Sequence, residues 1–356
     1  MFVLDGANRE TGVPGTPATL ARQKLNPASE LRSGHKHISM SAPQQTSFEV
    51  RVPASTANLG AGFDCLGLAL ELYLSVRATV LSKPGARVSA RSRGVRGTSQ
   101  LPSSPDENLI FRAMRRAAHG EGFELPPLRL AVQNEIPVAG GLGSSAAAVV
   151  AGTALAYIVT GRPVNKENAL RYSAEMEGHA DNVGAALYGG FVVTLTRADG
   201  TVVAVRKPWP KMIRLIVVTP SMALETKKSR AVLAQNVPRA DAVHNLQRSA
   251  LFVAALEERR FELLWDAMED RLHQTSRQSL VPGFSDVLAM RRVPGLLGVA
   301  LSGAGPSIVA LATGRFDEIG KIIAGYVERK GVSSTIRVME AAQEGITSSQ
   351  KSSVRK

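Results

Sequence analysis

Pro137-Val138-Ala139-Gly140-Gly141-Leu142-Gly143-Ser144-Ser145-Ala146-Ala147 is the stretch on which the reading of this chain turns. It runs without a charge into an alanine-rich segment, 146–160, that reads as a helix. The first backbone N–H groups of a helix have no intrahelical acceptor, and the helix dipole makes that end attractive to anions, phosphate above all. Glycines let the backbone approach an anion closely and take positive φ. Ser144 and Ser145 can cap the helix or turn a hydroxyl toward a bound metal. No Gly-Lys-Ser/Thr closes the segment, so it is not a Walker loop. It fits the dinucleotide pattern formally, as Gly141-x-Gly143-x-x-Ala146 with Glu167 beyond it. Glu135 and Pro137 nevertheless interrupt the strand such a site needs, and no βαβ alternation follows. Taken alone, the segment leaves an ordinary Ser-capped helix as the alternative.

Working outward, the uncharged run 136–161 exceeds the roughly 20 residues that span a bilayer. Its first third is rich in glycine and would expose backbone polar groups to lipid, so a buried helix of a water-soluble protein is the better reading. The whole chain has 356 residues, with 43 Lys+Arg against 30 Asp+Glu for a formal charge of +13, and 44% hydrophobic residues. That composition excludes disordered, collagenous and disulfide-stapled classes. Cys65 is the single cysteine. No intrachain disulfide or Cys-based zinc site can form, which makes a reducing cytoplasm the natural compartment.

Residues 1–47 have no sustained apolar period and read as a flexible extension, with neither an apolar segment of signal-peptide length nor the acid-poor character of a transit peptide. From Phe48 to Ala90 the chain alternates as strands do, with Val76, Ala78 and Val80 on one face and a Lys83-Pro84-Gly85 turn. Six basic and no acidic residues lie between Glu71 and Asp106. A nucleic-acid face is the sharp reading and a solvated hairpin the plain one. With only 5% aromatic residues there are few stacking platforms, so the plain one is preferred and no nucleic acid or membrane partner is expected. Helices are expected at 106–120 (capped by Ser104 or Asp106), 165–176, 242–256 and 261–272. Strands are expected at 128–132, 190–196 and 214–218, with 299–301 and 308–311 paired. Residues 342–356 read as a basic tail, frayed from Thr347 to Lys356. The pattern is α+β, without a repeat.

Three further segments share the character of the glycine loop. Val52-Pro53-Ala54-Ser55-Thr56-Ala57-Asn58-Leu59-Gly60-Ala61-Gly62-Phe63-Asp64 packs turn-forming and polar residues before an apolar run. Glu175-Met176-Glu177-Gly178-His179-Ala180-Asp181-Asn182 gathers carboxylates, an imidazole and an amide. Ser302-Gly303-Ala304-Gly305-Pro306-Ser307 is a second small-residue loop between apolar strands. Together they look like a nucleotide-and-metal site.

This combination resembles the homoserine kinases of the GHMP kinase superfamily over about residues 48–339. The 53–64 segment resembles the family's first motif, with Ser-Thr where Thr-Ser is more usual, 137–147 its phosphate loop and 302–307 its third motif. Glu-Gly-His-Ala-Asp-Asn-Val and Asp270-Arg271-Leu272-His273-Gln274 followed by Arg277 resemble homoserine kinases in particular. The implied fold has two domains. The N-terminal α+β ATP-binding domain, 48–205, carries the glycine loop over its sheet, and a ferredoxin-like C-terminal domain covers 206–341. The resemblance further implies a homodimer that phosphorylates L-homoserine with ATP and Mg²⁺, toward threonine.

Carried over residue by residue, the resemblance puts Asn58, Asp64, Asn182, Arg230 and Arg277 around the substrate, with Thr226 beside the reacting hydroxyl. An acid for the ammonium and guanidinium forks for the carboxylate suit a zwitterion. Pro137 to Ala147, with Gly303 and Gly305, would cradle the nucleotide. Magnesium would take Ser144 or Ser145 and one glutamate, Glu175 in preference to Glu177. His179 reads as a hydrogen-bonder that orders its loop. Related kinases place an aspartate where Asn182 stands. An amide cannot accept the proton, so transfer without a side-chain base is expected, with Asp181 as the rival base.

Overall fold

The computed structural model describes residues 45–82, 87–90, 102, 104–290 and 292–353. The alternation read from Phe48 belongs to a long antiparallel pair, β1 (Gln45–Ala57) and β2 (Leu66–Val80), irregular in register between Pro53 and Ala54. Val76 and Ala78 of β2 are fully buried. On its other edge β2 has two partners. β4 (Leu128–Asn134) takes its second half and β5 (Phe191–Thr196) its first three residues. β3 (Arg87–Ala90) runs parallel to β4, and β6 (Val202–Lys207) antiparallel to β5. The Lys83-Pro84-Gly85 turn and much of the basic stretch after Glu71 lie outside the described residues.

Four helices pack with this sheet. α1 (Leu109–Glu121) is capped by Asn108, whose side chain accepts from the Ile110 and Phe111 amides, instead of by Ser104 or Asp106. α2 (Ser144–Val159) is apolar on all sides, and twelve of its sixteen residues are buried. Such a helix needs cover all round. It receives cover from α1, from α3 (Lys166–Glu177) and from α4 (Asp181–Tyr188) as well as from the sheet. Among the described residues no helix is long and apolar enough to cross a membrane.

The second sheet has the order β10 (Ser334–Met339), β7 (Arg214–Pro220), β9 (Ile308–Ala312), β8 (Leu296–Leu301), with every neighbour antiparallel. Between β7 and β8 the chain makes α5 (Thr226–Ala231), α6 (Arg239–Glu257), α7 (Leu264–Ala267), α8 (Gln274–Arg277) and α9 (Phe284–Leu288). α10 (Phe316–Glu328) joins β9 to β10. This is the split βαββαβ order of a ferredoxin-like layer. Its central strands read as unbroken apolar runs because both faces are covered. Leu215, Val217, Val309 and Leu311 join the large core shared with α2 and β2, whereas Ile216, Val218, Ile308 and Ala310 join a second core with α9 and α10.

Two expectations need correction. The helix expected at 261–272 is one 3₁₀ turn, Phe261–Leu263, followed by the short α7. The Asp270 carboxylate accepts from the amides of Leu272, His273 and Gln274, a local competitor that ends helical pairing. The tail does not fray at Thr347: β11 (Thr347–Ser353) pairs antiparallel with Gln45–Arg51 of β1. Its sequence, Thr-Ser-Ser-Gln-Lys-Ser-Ser, carries no apolar signal, so its place comes from the backbone ladder along an edge that would otherwise be open.

Candidate active site

The glycine loop leaves β4 through Asn134, whose side chain accepts from the Ile136 amide and donates to the Ile136 carbonyl. The loop is then held from behind by four successive carbonyls. That of Ala139 accepts from the Leu224 amide, Gly140 from the Ser307 amide, Gly141 from Ser302 Oγ, and Leu142 from the Ser55 amide. With the carbonyls engaged in the frame, the amides of Ser144, Ser145 and Ala146, which have no intrahelical acceptor, are left to the cavity those residues line. Gly141 and Gly143 have φ of 78° and 68°. A Cβ on Gly141 would stand 2.6 Å from the carbonyl oxygens of Ser302 and Gly305, and one on Gly143 would stand 2.0 Å from Ser55 Oγ. The loop is therefore pressed against the first and third motifs, and only glycine fits there.

The loop opens onto a cavity. Pro137, Ala139, Gly140, Gly141, Gly143, Ser144, Ser145, Ala146 and Gly303 line it, as do Asn58, Asp64, Asp181, Asn182, Thr226, Arg230 and Arg277. Val138 is exposed outside it, Leu142 and Ala147 are buried in the core, and Gly305 backs Gly141 without reaching the cavity.

At the loop end Ser145 Oγ donates to Glu177 Oε1 at 2.5 Å, and Glu177 lines the cavity. Burial pushes the Glu177 carboxyl up, opposed by the Ser145 hydrogen bond and by His179. Glu175 does not join it. Residues two apart on a helix point about 200° apart, so both cannot face the cavity. Glu175 turns away to ion pairs with Arg116 and Arg171. Of the two glutamates the sequence offered, Glu177 reaches the cavity and Glu175 does not. His179 Nδ1 meets Asp181 Oδ1 at 2.8 Å. Burial alone would lower the imidazole, but the hydrogen bond and charge of Asp181 prevail and hold it above its ordinary value. The same Asp181 oxygen accepts from the Asn182 amide at 2.7 Å and from Asn182 Nδ2 at 3.3 Å, while Asn182 Oδ1 accepts from Ser55 Oγ at 2.8 Å. The orientation of the Asn182 amide is fixed from both sides.

At the opposite end Arg230 forms a bidentate pair with Asp64, Nη2 to Oδ1 at 2.6 Å and Nη1 to Oδ2 at 3.0 Å. Thr226 and Arg230 stand one turn apart on α5 and both line the cavity. Arg277 is 1% exposed. Its Nε donates to the Ser229 carbonyl at 3.1 Å, and its Nη1 to His273 Nδ1 at 3.1 Å and the Gly303 carbonyl at 3.3 Å. All three acceptors are neutral. Burial, with Arg230 as the next cause, lowers the guanidinium to about 10. A guanidinium that donates to neutral acceptors alone, with Nη2 unengaged among the described residues, is a ready receptor for an anion.

Asn58 lines the cavity, but its amide is engaged in the frame: Oδ1 accepts from the Asp64 amide and Nδ2 donates to the Gly303 carbonyl. Sequence reasoning did not single out Ser55 as the support of Asn182. Nor did it single out Phe63, whose ring lies 5.5 Å from the Arg277 guanidinium and 5.7 Å from that of Arg230. Both sit inside the quoted first motif, yet only the third dimension shows what they touch.

Comparisons with known proteins fit this geometry. The family models described as GHMP kinases N terminal domain and GHMP kinases C terminal match residues 108–190 and 252–326. The chain is 46% identical over 271 residues to a homoserine kinase of Deinococcus radiodurans, covering 76% of this chain and 85% of the relative. It is 41% identical over 287 residues to a homoserine kinase of Solibacter usitatus, covering 81% and 92%. The crystal structure of a homoserine kinase from Cytophaga hutchinsonii superposes with a TM-score of 0.76 at 29% identity, covering 85% of this chain and 97% of that one. A Lactococcus lactis galactokinase, complexed with galactose, shares the fold alone, with a TM-score of 0.62 at 15% identity.

Proposed function

Because the chain belongs to the homoserine kinases of the GHMP kinase family, we propose that it transfers the γ-phosphoryl group of ATP to the hydroxyl of L-homoserine, giving O-phospho-L-homoserine. The observation that carries this reading is one cavity with helix-terminal amides at one end and Asp64, Arg230 and Arg277 at the other. A homodimer and a cytoplasmic location belong to the same proposal and rest on the resemblance; sedimentation of the purified chain tests the first. An ADP-release assay with homoserine, mevalonate and galactose tests the activity. Turnover of homoserine is the expected result, and turnover of mevalonate or galactose alone would refute the substrate assignment.

Phosphoryl transfer asks mainly for alignment and charge neutralisation. The amides of residues 144–146 hold phosphate oxygens, and the zwitterion is anchored by Asp64 and the two arginines. Its hydroxyl then lies beside Thr226 and Asn182, in line with the phosphorus. The residues at the loop fit magnesium: Glu177 with Ser145, and Ser144 beside them, would hold it. One carboxylate and two hydroxyls would suit a hard cation that keeps part of its water shell. When bound, it neutralises the β- and γ-phosphate charge. Glu177→Gln is expected to raise the Mg²⁺ concentration for half-maximal rate about tenfold, and Glu175→Gln to change it less than about twofold. A titration of rate against Mg²⁺ decides between them, and equal effects would return the ligand to doubt.

Asn182 cannot take the hydroxyl proton, and the Asp181 oxygen that orients it already accepts from three donors. On this reading the proton passes to the transferred phosphoryl group itself, with the second Asp181 oxygen as the rival acceptor. Asp181→Asn keeps an oxygen at that position and is expected to lose less than about tenfold in kcat, well short of the loss of a general base. A fall of about 10³ or more with homoserine and ATP binding intact would make Asp181 the base.

A further inference from the structure

The Asp270-to-Arg277 segment carries a histidine that the mechanism does not use. His273 is fully buried behind the arginine end of the site. Its Nε2 lies 2.8 Å from the Gly60 carbonyl and its Nδ1 3.1 Å from Arg277 Nη1, and its ring stacks on Phe63 with centroids 5.1 Å apart. A carbonyl can only accept and a guanidinium can only donate. Those two neighbours therefore fix one tautomer, with the proton on Nε2 and a bare lone pair on Nδ1. Charging the ring would put a second N–H against the Arg277 guanidinium. Asp270, whose Oδ1 is 3.8 Å from Nε2, is too far for a hydrogen bond and is already engaged by the Leu272, His273 and Gln274 amides and by Asn245. Burial, against the pull of Asp270, likewise keeps the imidazole below its ordinary value.

From this geometry we infer that His273 is a positioning residue for Arg277: as a neutral imidazole it bridges the Gly60 carbonyl and Nη1, turning the free Nη2 edge of the guanidinium to the substrate carboxylate. The first motif thereby sets the aim of an arginine that arrives from α8, more than two hundred residues later. The inference rests on the reading of the cavity as a homoserine site.

Two isosteric halves of the imidazole separate its two bonds. Asparagine places an oxygen near the Nδ1 position and keeps the acceptor for Arg277. Glutamine reaches the Nε2 position and keeps the donor to Gly60 but loses that acceptor. In the full chain, His273→Gln is expected to raise the homoserine KM about tenfold, the worth of one hydrogen bond to a charged group, with the ATP KM changed less than about twofold. His273→Asn is expected to stay within about threefold of the unaltered protein for both substrates. Equal rises for the two variants, or an ATP KM that moves in step, would make the histidine merely structural and overturn the inference. The ¹⁵N resonances of the unaltered protein give a second reading that needs no variant. Nε2 protonated and Nδ1 bare between about pH 6 and 8 is expected, and an imidazolium in that range overturns the inference. If the unaltered protein fails to turn over homoserine, the functional reading falls and takes this one with it. If it turns over normally and the two variants behave alike, only this inference falls.

Discussion

Gly143→Ala is expected to lower kcat/KM for ATP by about a hundredfold or more while leaving the chain folded. The added Cβ meets Ser55 Oγ at 2.0 Å on a backbone with φ of 68°, a region that costs an L-residue about 1–2 kcal/mol. Ser55 cannot yield freely, because its hydroxyl holds Asn182 Oδ1. The loop must then rise off the first motif, and a displacement of about 1 Å in a positioning element costs on the order of 10² in rate. The core is untouched, so thermal unfolding should move only by several degrees. Nucleotide affinity from calorimetry together with steady-state rates provides the check. Undiminished ATP affinity and turnover would mean that the triphosphate does not rest on this loop.

Arg277→Gln should be nearly as damaging, but on the other substrate. The change removes a buried charge and leaves the Ser229 and Gly303 carbonyls and His273 Nδ1 short of a donor. Truncating one partner of a buried charged contact costs about 2–5 kcal/mol, so kcat/KM for homoserine should fall by about 10²–10³, with the ATP KM little changed. Lysine should rescue poorly, since an ammonium cannot reproduce a fork that meets three fixed acceptors. A loss shared equally between the two substrates would place Arg277 in the frame and not against the amino acid.

The two glycine loops and the acidic cluster were legible because their chemistry is local: glycine where φ is positive, serine where amides lie open, carboxylates in a row. What escaped depends on which way an element faces. Glu175 and Glu177 are equivalent on paper, and only the packing of α3 decides that Arg116 takes one and Ser145 the other. The 261–272 stretch has helical periodicity, but the Asp270 side chain captures the amides that a continuing helix would need. β11 shows the reverse case. No periodicity marks Thr347–Ser353, and its place follows from the strand it pairs with. Asn58, which the resemblance puts beside the substrate, does line the cavity, but that both ends of its amide join backbone groups could not be read from the motif.

Ser302 Oγ lies within hydrogen-bond distance of both Thr56 Oγ1 and the Gly141 carbonyl, and β11 closes the sheet along the first strand of the described chain. A nascent chain still short of its third motif therefore has no finished nucleotide site, however well its first half has collapsed. During synthesis the protein should stay blind to ATP until almost its whole length has left the ribosome. Protection of the loop against proteases by nucleotide should accordingly switch on late and all at once.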